Sequence, residues 1–186
     1  MWKYNGAVRP SFAEATLAGQ ESVWDYPRPP ELRADTRTVT VYSKEILIAR
    51  TSTSIRVLET AGAPTFYIPP KDVRQQYLLN IDHRSYCEWK GVATYCCMSP
   101  PLPTPAPIST QVPAYGSDEI VPCGWQYTDP SETFMMIEGY YSFYPGILDC
   151  YVNEERVRPQ AGGFYGGWVT DEIVGPIKGA PGSQGW

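Results

Sequence analysis

The 186-residue chain holds a single histidine, His83. Two- and three-histidine metal centres are therefore excluded, and any Ser-His-Asp or Cys-His device would have to run through that one ring. The cysteines are Cys87, Cys96, Cys97, Cys123 and Cys150, with no Cys-x-x-Cys pair among them. Tetrahedral thiolate sites draw closely spaced pairs, so no metal is expected and the thiols read as reduced and mainly structural. No phosphate-loop motif occurs, and the one glycine cluster is not followed by a helical pattern, so no nucleotide cofactor is implied. Basic runs are also missing. Fifteen Lys+Arg stand against 20 Asp+Glu, a net charge of −5, which argues against nucleic acid and anionic membrane surfaces as partners. No apolar run approaches the roughly 18 residues of a membrane helix. Met1 to Pro30 lacks the apolar stretch of a signal peptide, and there is no Asn-x-Ser/Thr sequon. The expectation is a soluble cytoplasmic protein.

What the chain does have is proline (19), glycine (16) and aromatic side chains (13%). Proline and glycine at this level interrupt long helices and favour short strands and fixed turns, while the aromatics argue against disorder. The composition predicts a mainly β domain. Thr38 to Tyr42 alternates and is β-branched, Ser43 to Glu45 is a turn, and Ile46 to Arg50 returns as a hairpin partner. Ser54 to Thr60 and Thr65 to Ile68 read as further strands. Pro70 to Leu79, with proline in the first turn and Val73, Tyr77 and Leu78 at helical spacing, is the best helix candidate. Asn80 to Arg84 reads as a loop, Tyr86 to Met98 as one or two strands, and Pro130 to Glu138 as a helical turn. Strands are expected again at Ile120 to Tyr127, Gly139 to Phe143 and Leu148 to Val152. Val41 to Glu45 and Cys150 to Glu154 echo one another as strand, tyrosine and polar turn. Residues 1–18 read as a tail, 19–186 as one domain, and 99–117, with six prolines, as an exposed insertion.

Several stretches taken together resemble a known family. They are Gly19 to Pro30, Arg56-Val-Leu-Glu-Thr60, Tyr67-Ile-Pro-Pro70 with Asp72-Val73, and Cys87-x-Trp-Lys-Gly91 preceded by Ser85. They continue with Phe143-Tyr-Pro145, Pro159 to Trp168 and Val174-Gly-Pro-Ile-Lys-Gly179. In this order they resemble the "domain of unknown function 427" family, which also carries a nucleotidyltransferase-like label. The resemblance spans roughly residues 19–186. It implies a single β-tent-like domain of short curved sheets with one or two short helices. Zinc-binding relatives of that fold use paired Cys-x-x-Cys motifs, which are missing here. The 99–117 stretch is also longer and richer in proline than the family's usual connection.

The candidate site residues follow from these motifs. Trp24, Tyr26, Tyr67, Trp89, Trp125, Tyr165 and Trp168 suit an aromatic cavity for a small molecule, and a small β core would use the same residues as filling. Trp24, Tyr67, Trp89, Tyr165 and Trp168 are the expected walls. Arg56, Glu59 and Lys90 are the expected polar groups, because guanidinium and ammonium suit anionic ligands. Arg56 and Glu59 read equally well as an ion pair bracing the sheet. Cys87 is the candidate nucleophile of an alternative, enzymatic reading. On a regular strand, however, Cys87 would share a face with Trp89 and be separated from Lys90. A nucleotidyl-transfer variant would need metal-holding carboxylates, for which Asp72 and Glu59 are the candidates. A third reading is a scaffold that uses the proline-rich arm.

Overall fold

The computed structural model describes residues 3–99, 121–183 and 185–186. The proline-rich insertion, Ser99 apart, lies outside the described residues. Short strands dominate, and the helical segments are short 3-10 turns at Pro70–Asp72, Gln75–Tyr77 and Glu132–Ile137.

Three sheets carry the architecture. In the first, the hairpin of Val39–Ser43 and Ile46–Thr51 meets the hairpin of Asp149–Val152 and Glu155–Arg156. Their central strands run antiparallel, with Val41 opposite Cys150. The echo in the sequence is thus two hairpins side by side in one sheet. Each has a residue with positive φ at its turn, Lys44 and Asn153, and Tyr42 and Tyr151 meet edge to face at 6.0 Å. The second sheet joins Glu31–Asp35, Ser54–Leu58 and Thr65–Tyr67. The third runs Tyr141–Phe143, Gly124–Gln126, Gly91–Met98 and Leu78–Cys87. Two small ladders close the structure. One is parallel, between Glu21–Ser22 and Ile173–Val174; the other pairs Arg158–Pro159 with Trp168–Val169.

Two expectations are corrected. Pro70 to Leu79 is two separate 3-10 turns rather than a helix. Val73 between them is extended and bridges to Ala49, and the Arg74 N–H donates to the Ile48 carbonyl at 2.8 Å. Pairing with the neighbouring strand satisfies backbone groups that a helix would have satisfied internally. Asn80 to Arg84 is strand rather than loop; a bulge between Ile81 and Arg84 takes up the extra residues.

The alternation of Phe66, Tyr67 and Ile68 shows how the strands position the interior. Phe66 and Ile68 enter a core with Val39, Val41, Ile48, Phe143, Cys150 and Trp168. Tyr67 points the other way, into a cluster with Val57, Ala93, Trp125, Tyr127 and Phe134. A third cluster surrounds Trp24, Leu58 and Ile173.

Candidate functional site

The Tyr67 cluster opens onto a cleft of about 470 Å³. One wall is the hairpin that joins Leu78–Cys87 to Gly91–Met98. Cys87 pairs with Gly91, leaving Glu88, Trp89 and Lys90 as the turn. Gly91 follows at φ +92°, the left-handed residue that commonly completes a three-residue hairpin loop. Ser131 fixes the turn from outside: its N–H donates to the Lys90 carbonyl at 3.2 Å and its hydroxyl donates to the Trp89 carbonyl. Because Glu88 to Lys90 is turn and not strand, the parity that would separate Cys87 from Lys90 does not apply. Both line the cleft.

Lys90 is 8% exposed, and its ammonium lies 5.7 Å from the Phe134 ring centre and 5.9 Å from that of Tyr127. None of the ion pairs among the described residues includes it. Burial opposes its charge, but Tyr67, Cys87 and Glu59 together outweigh burial and hold its pKa above the usual lysine value. Lys90 is thus a buried lysine whose charged form its neighbours favour, the Glu59 carboxylate among them.

The aromatic walls come from several elements. Tyr67 accepts a hydrogen bond from the Trp125 indole N–H at 3.1 Å, and Trp125 meets Tyr144 at 4.6 Å. Tyr95 and Ser85 share a hydroxyl hydrogen bond of 2.7 Å. Burial pushes the Tyr67, Tyr127 and Tyr144 phenols above their ordinary pKa, so they act as neutral hydroxyls. The opposite wall is the glycine-rich segment carrying Phe164 and Tyr165. Gly166 lets that segment close on Trp125, since a Cβ there would lie 2.0 Å from the indole ring.

A smaller space of about 100 Å³ continues from the cleft, lined among others by Glu59, Thr65, Lys90, Tyr165 and Lys178. Lys178 sits over Tyr165, 5.3 Å from the ring centre. Glu59 pairs with the buried Arg28 at 3.5 Å.

Of the residues singled out from the sequence, Glu59, Tyr67, Cys87, Trp89, Lys90, Trp125 and Tyr165 meet in the cleft. Trp24, Tyr26, Arg56 and Trp168 do not. Trp24 is fully buried against Tyr4, Phe12 and Trp186, with its indole N–H bonded to the Pro176 carbonyl. Trp168 is fully buried on Phe66 and donates to the Phe143 carbonyl. Arg56 braces the structure, though not through Glu59: it makes a two-point pair with Glu21 at 3.1 Å and approaches Asp35 at 3.0 Å, while Glu59 pairs with Arg28. His83 is exposed at the strand bulge and packs edge-on against Tyr95. Asp72 accepts from the Thr51 hydroxyl in a separate surface depression. Sequence reasoning missed Lys178, Tyr95, Tyr127 and Tyr144 as lining residues. Lys178 did lie inside the Val174 to Gly179 motif, but nothing local ties that motif to Lys90.

Comparison with protein families gives one match, to the model described as Domain of unknown function (DUF427), over residues 31–154. The chain belongs to that family. No curated protein matches it. The DUF427 match contains Glu59, Tyr67, Cys87, Trp89 and Lys90, whereas Tyr165 and Lys178 come from residues beyond it. The cleft of this DUF427 protein is thus completed by its C-terminal segment.

Proposed function

We propose that the protein is a small-molecule-binding module whose ligand occupies the cleft between the Cys87–Gly91 turn and the glycine-rich segment. The observation that carries this reading is Lys90, a buried lysine lining an aromatic cleft, whose charge Glu59 favours but which has no carboxylate at ion-pair distance among the described residues. Burying an unpaired charge is costly, so a site that keeps one suits a ligand that supplies the partner. Tyr67, Trp125, Tyr144 and Tyr165 offer flat surfaces for a ring. The test is a thermal-shift screen of anionic, neutral and cationic ring compounds. A ligand at about 100 times its Kd adds roughly 2.7 kcal/mol, which for a chain of this size is a rise of about 5–10 °C. Tyr165→Ala should remove the shift. A screen with no shifts, and a Tyr165→Ala protein indistinguishable from wild type, would sink the idea.

A second reading is favoured by one feature: the turn puts Cys87 and Lys90 in the same cleft, where an ammonium can support a thiolate nucleophile. Iodoacetamide at neutral pH tests it. Cys87 alkylating no faster than free cysteine argues against covalent chemistry there. The carboxylates considered for metal-assisted nucleotidyl transfer, Glu59 and Asp72, line different cavities, which disfavours that variant.

A further inference from the structure

The smaller space behind the cleft specifies more than an aromatic ligand. Lys90 reaches it from the turn and Lys178 from the C-terminal segment. The position of Lys178 is fixed by its backbone: its N–H donates to the Ala61 carbonyl at 2.8 Å, and its carbonyl accepts from the Gln160 amide at 2.9 Å. Gln160 is buried and also accepts from the Ala63 N–H at 3.0 Å, so both ends of its amide are engaged in holding the walls. Gly167 leaves room for it, since a Cβ there would lie 2.0 Å from the Gln160 carbonyl oxygen.

The charges in this space do not balance internally. Glu59 is paired with Arg28, and no ion pair among the described residues includes Lys90 or Lys178. Two lysines and one carboxylate, Glu59, which is already paired with Arg28, thus line about 100 Å³ of space. A carboxylate would answer one of the lysines. A phosphate monoester carries about −1.5 to −2 at pH 7 and presents three acceptor oxygens, which answers both.

We propose that this inner space is the receptor for a phosphate monoester, held between Lys90 and Lys178, whose ring lies in the aromatic cleft. The inference rests on the cleft being a ligand site, and the probes are chosen to separate the two ideas. Phenyl phosphate, benzoate, phenol and inorganic phosphate are titrated into the full chain by calorimetry, with thermal shift alongside. Phenyl phosphate is expected to bind tightest, benzoate about tenfold weaker or more, and phenol and inorganic phosphate weaker still, since each lacks one half of the recognition. Charge-assisted contacts of this kind are worth about one to two decades in affinity. Lys90→Met and Lys178→Met should therefore each weaken phenyl phosphate by about 10- to 100-fold. Lys178 is only half-buried, so its variant remains readable if Lys90→Met does not fold. Benzoate equal to phenyl phosphate, or a Lys178→Met protein that binds phenyl phosphate like wild type, overturns the phosphate assignment. A neutral ring compound whose shift Tyr165→Ala abolishes, with phenyl phosphate inert, also overturns it while leaving the cleft a ligand site. Silence from every compound overturns both.

Discussion

Trp168 is the residue on which the sequence motif and the fold disagree, and Trp168→Phe measures the difference. The indole is fully buried, stacks on Phe66 at 4.9 Å and donates to the Phe143 carbonyl at 3.0 Å. Phenylalanine keeps much of the stacked ring and removes the donor. The Phe143 carbonyl then lies in the core without that partner, a loss of about 1–3 kcal/mol. With a urea slope of about 1–3 kcal/mol/M, the midpoint should fall by roughly 1 M with little change in slope. Trp168→Ala adds the lost contacts and a cavity, about 3–5 kcal/mol, a large part of the 5–15 kcal/mol that typically holds a domain together. The assay is urea unfolding followed by far-UV circular dichroism, paired with titration of whichever compound the cleft binds. Destabilisation with unchanged affinity fits a core residue. Unchanged stability with lost affinity would show that Trp168 touches the ligand and that the packing argument is wrong.

The remaining predictions concern the charged brace and the glycine wall. Arg56→Met leaves Asp35 and Glu21 without their shared guanidinium, although Arg37 still holds Asp35 at 2.6 Å. The expected loss is about 3 kcal/mol in chemical denaturation, and a stability equal to wild type would refute the brace. Burial raises the pKa of both carboxylates. Hydrogen bonds from Arg37 to Asp35, and from Arg56 and Tyr26 to Glu21, outweigh it and hold both below the ordinary range. Their contribution is thus complete above the unfolded-state value of about 4 and is lost as pH falls through the lower folded values. Urea midpoints for wild type should drop below pH ~4, and the drop should be shallower in Arg56→Met; parallel curves would contradict it. Gly166→Ala places a methyl into the Trp125 ring, and the overpacking should cost about 1–3 kcal/mol and change tryptophan fluorescence. An unaltered spectrum and midpoint would mean the wall does not close on Trp125.

How much of this was legible in the residues depends on which forces act locally. Val39–Ser43 and Ile46–Thr51 announce themselves because one face is buried and β-branched residues alternate along them. Leu78–Cys87 does not, because it lies at the edge of its sheet and is largely exposed, so polar residues fill it without period. Pro70 to Leu79 has helical spacing, but Val73 and Arg74 are taken by the neighbouring strand. The abundance of aromatics pointed to Tyr67, Trp89 and Tyr165 among others, and these three line the cleft. It gave no means of excluding Trp24 and Trp168, whose indoles are bonded to backbone carbonyls from distant parts of the chain. Lys90 reached the cleft through a turn that strand parity argued against, and Lys178 through a long-range closure that no local pattern encodes.

The side-by-side hairpins also set a timetable for synthesis. Val39–Ser43 finds its second partner only in Asp149–Val152, so on the ribosome the first hairpin waits for about a hundred further residues, roughly 5–20 s at ordinary elongation rates. During that interval its inner edge is unpaired and Val39 and Val41 lack their final cover, a state prone to association with other chains. The ladder between Glu21–Ser22 and Ile173–Val174 waits longer still. A nascent chain arrested before residue 149 should consequently depend on chaperones in a way that the finished protein does not.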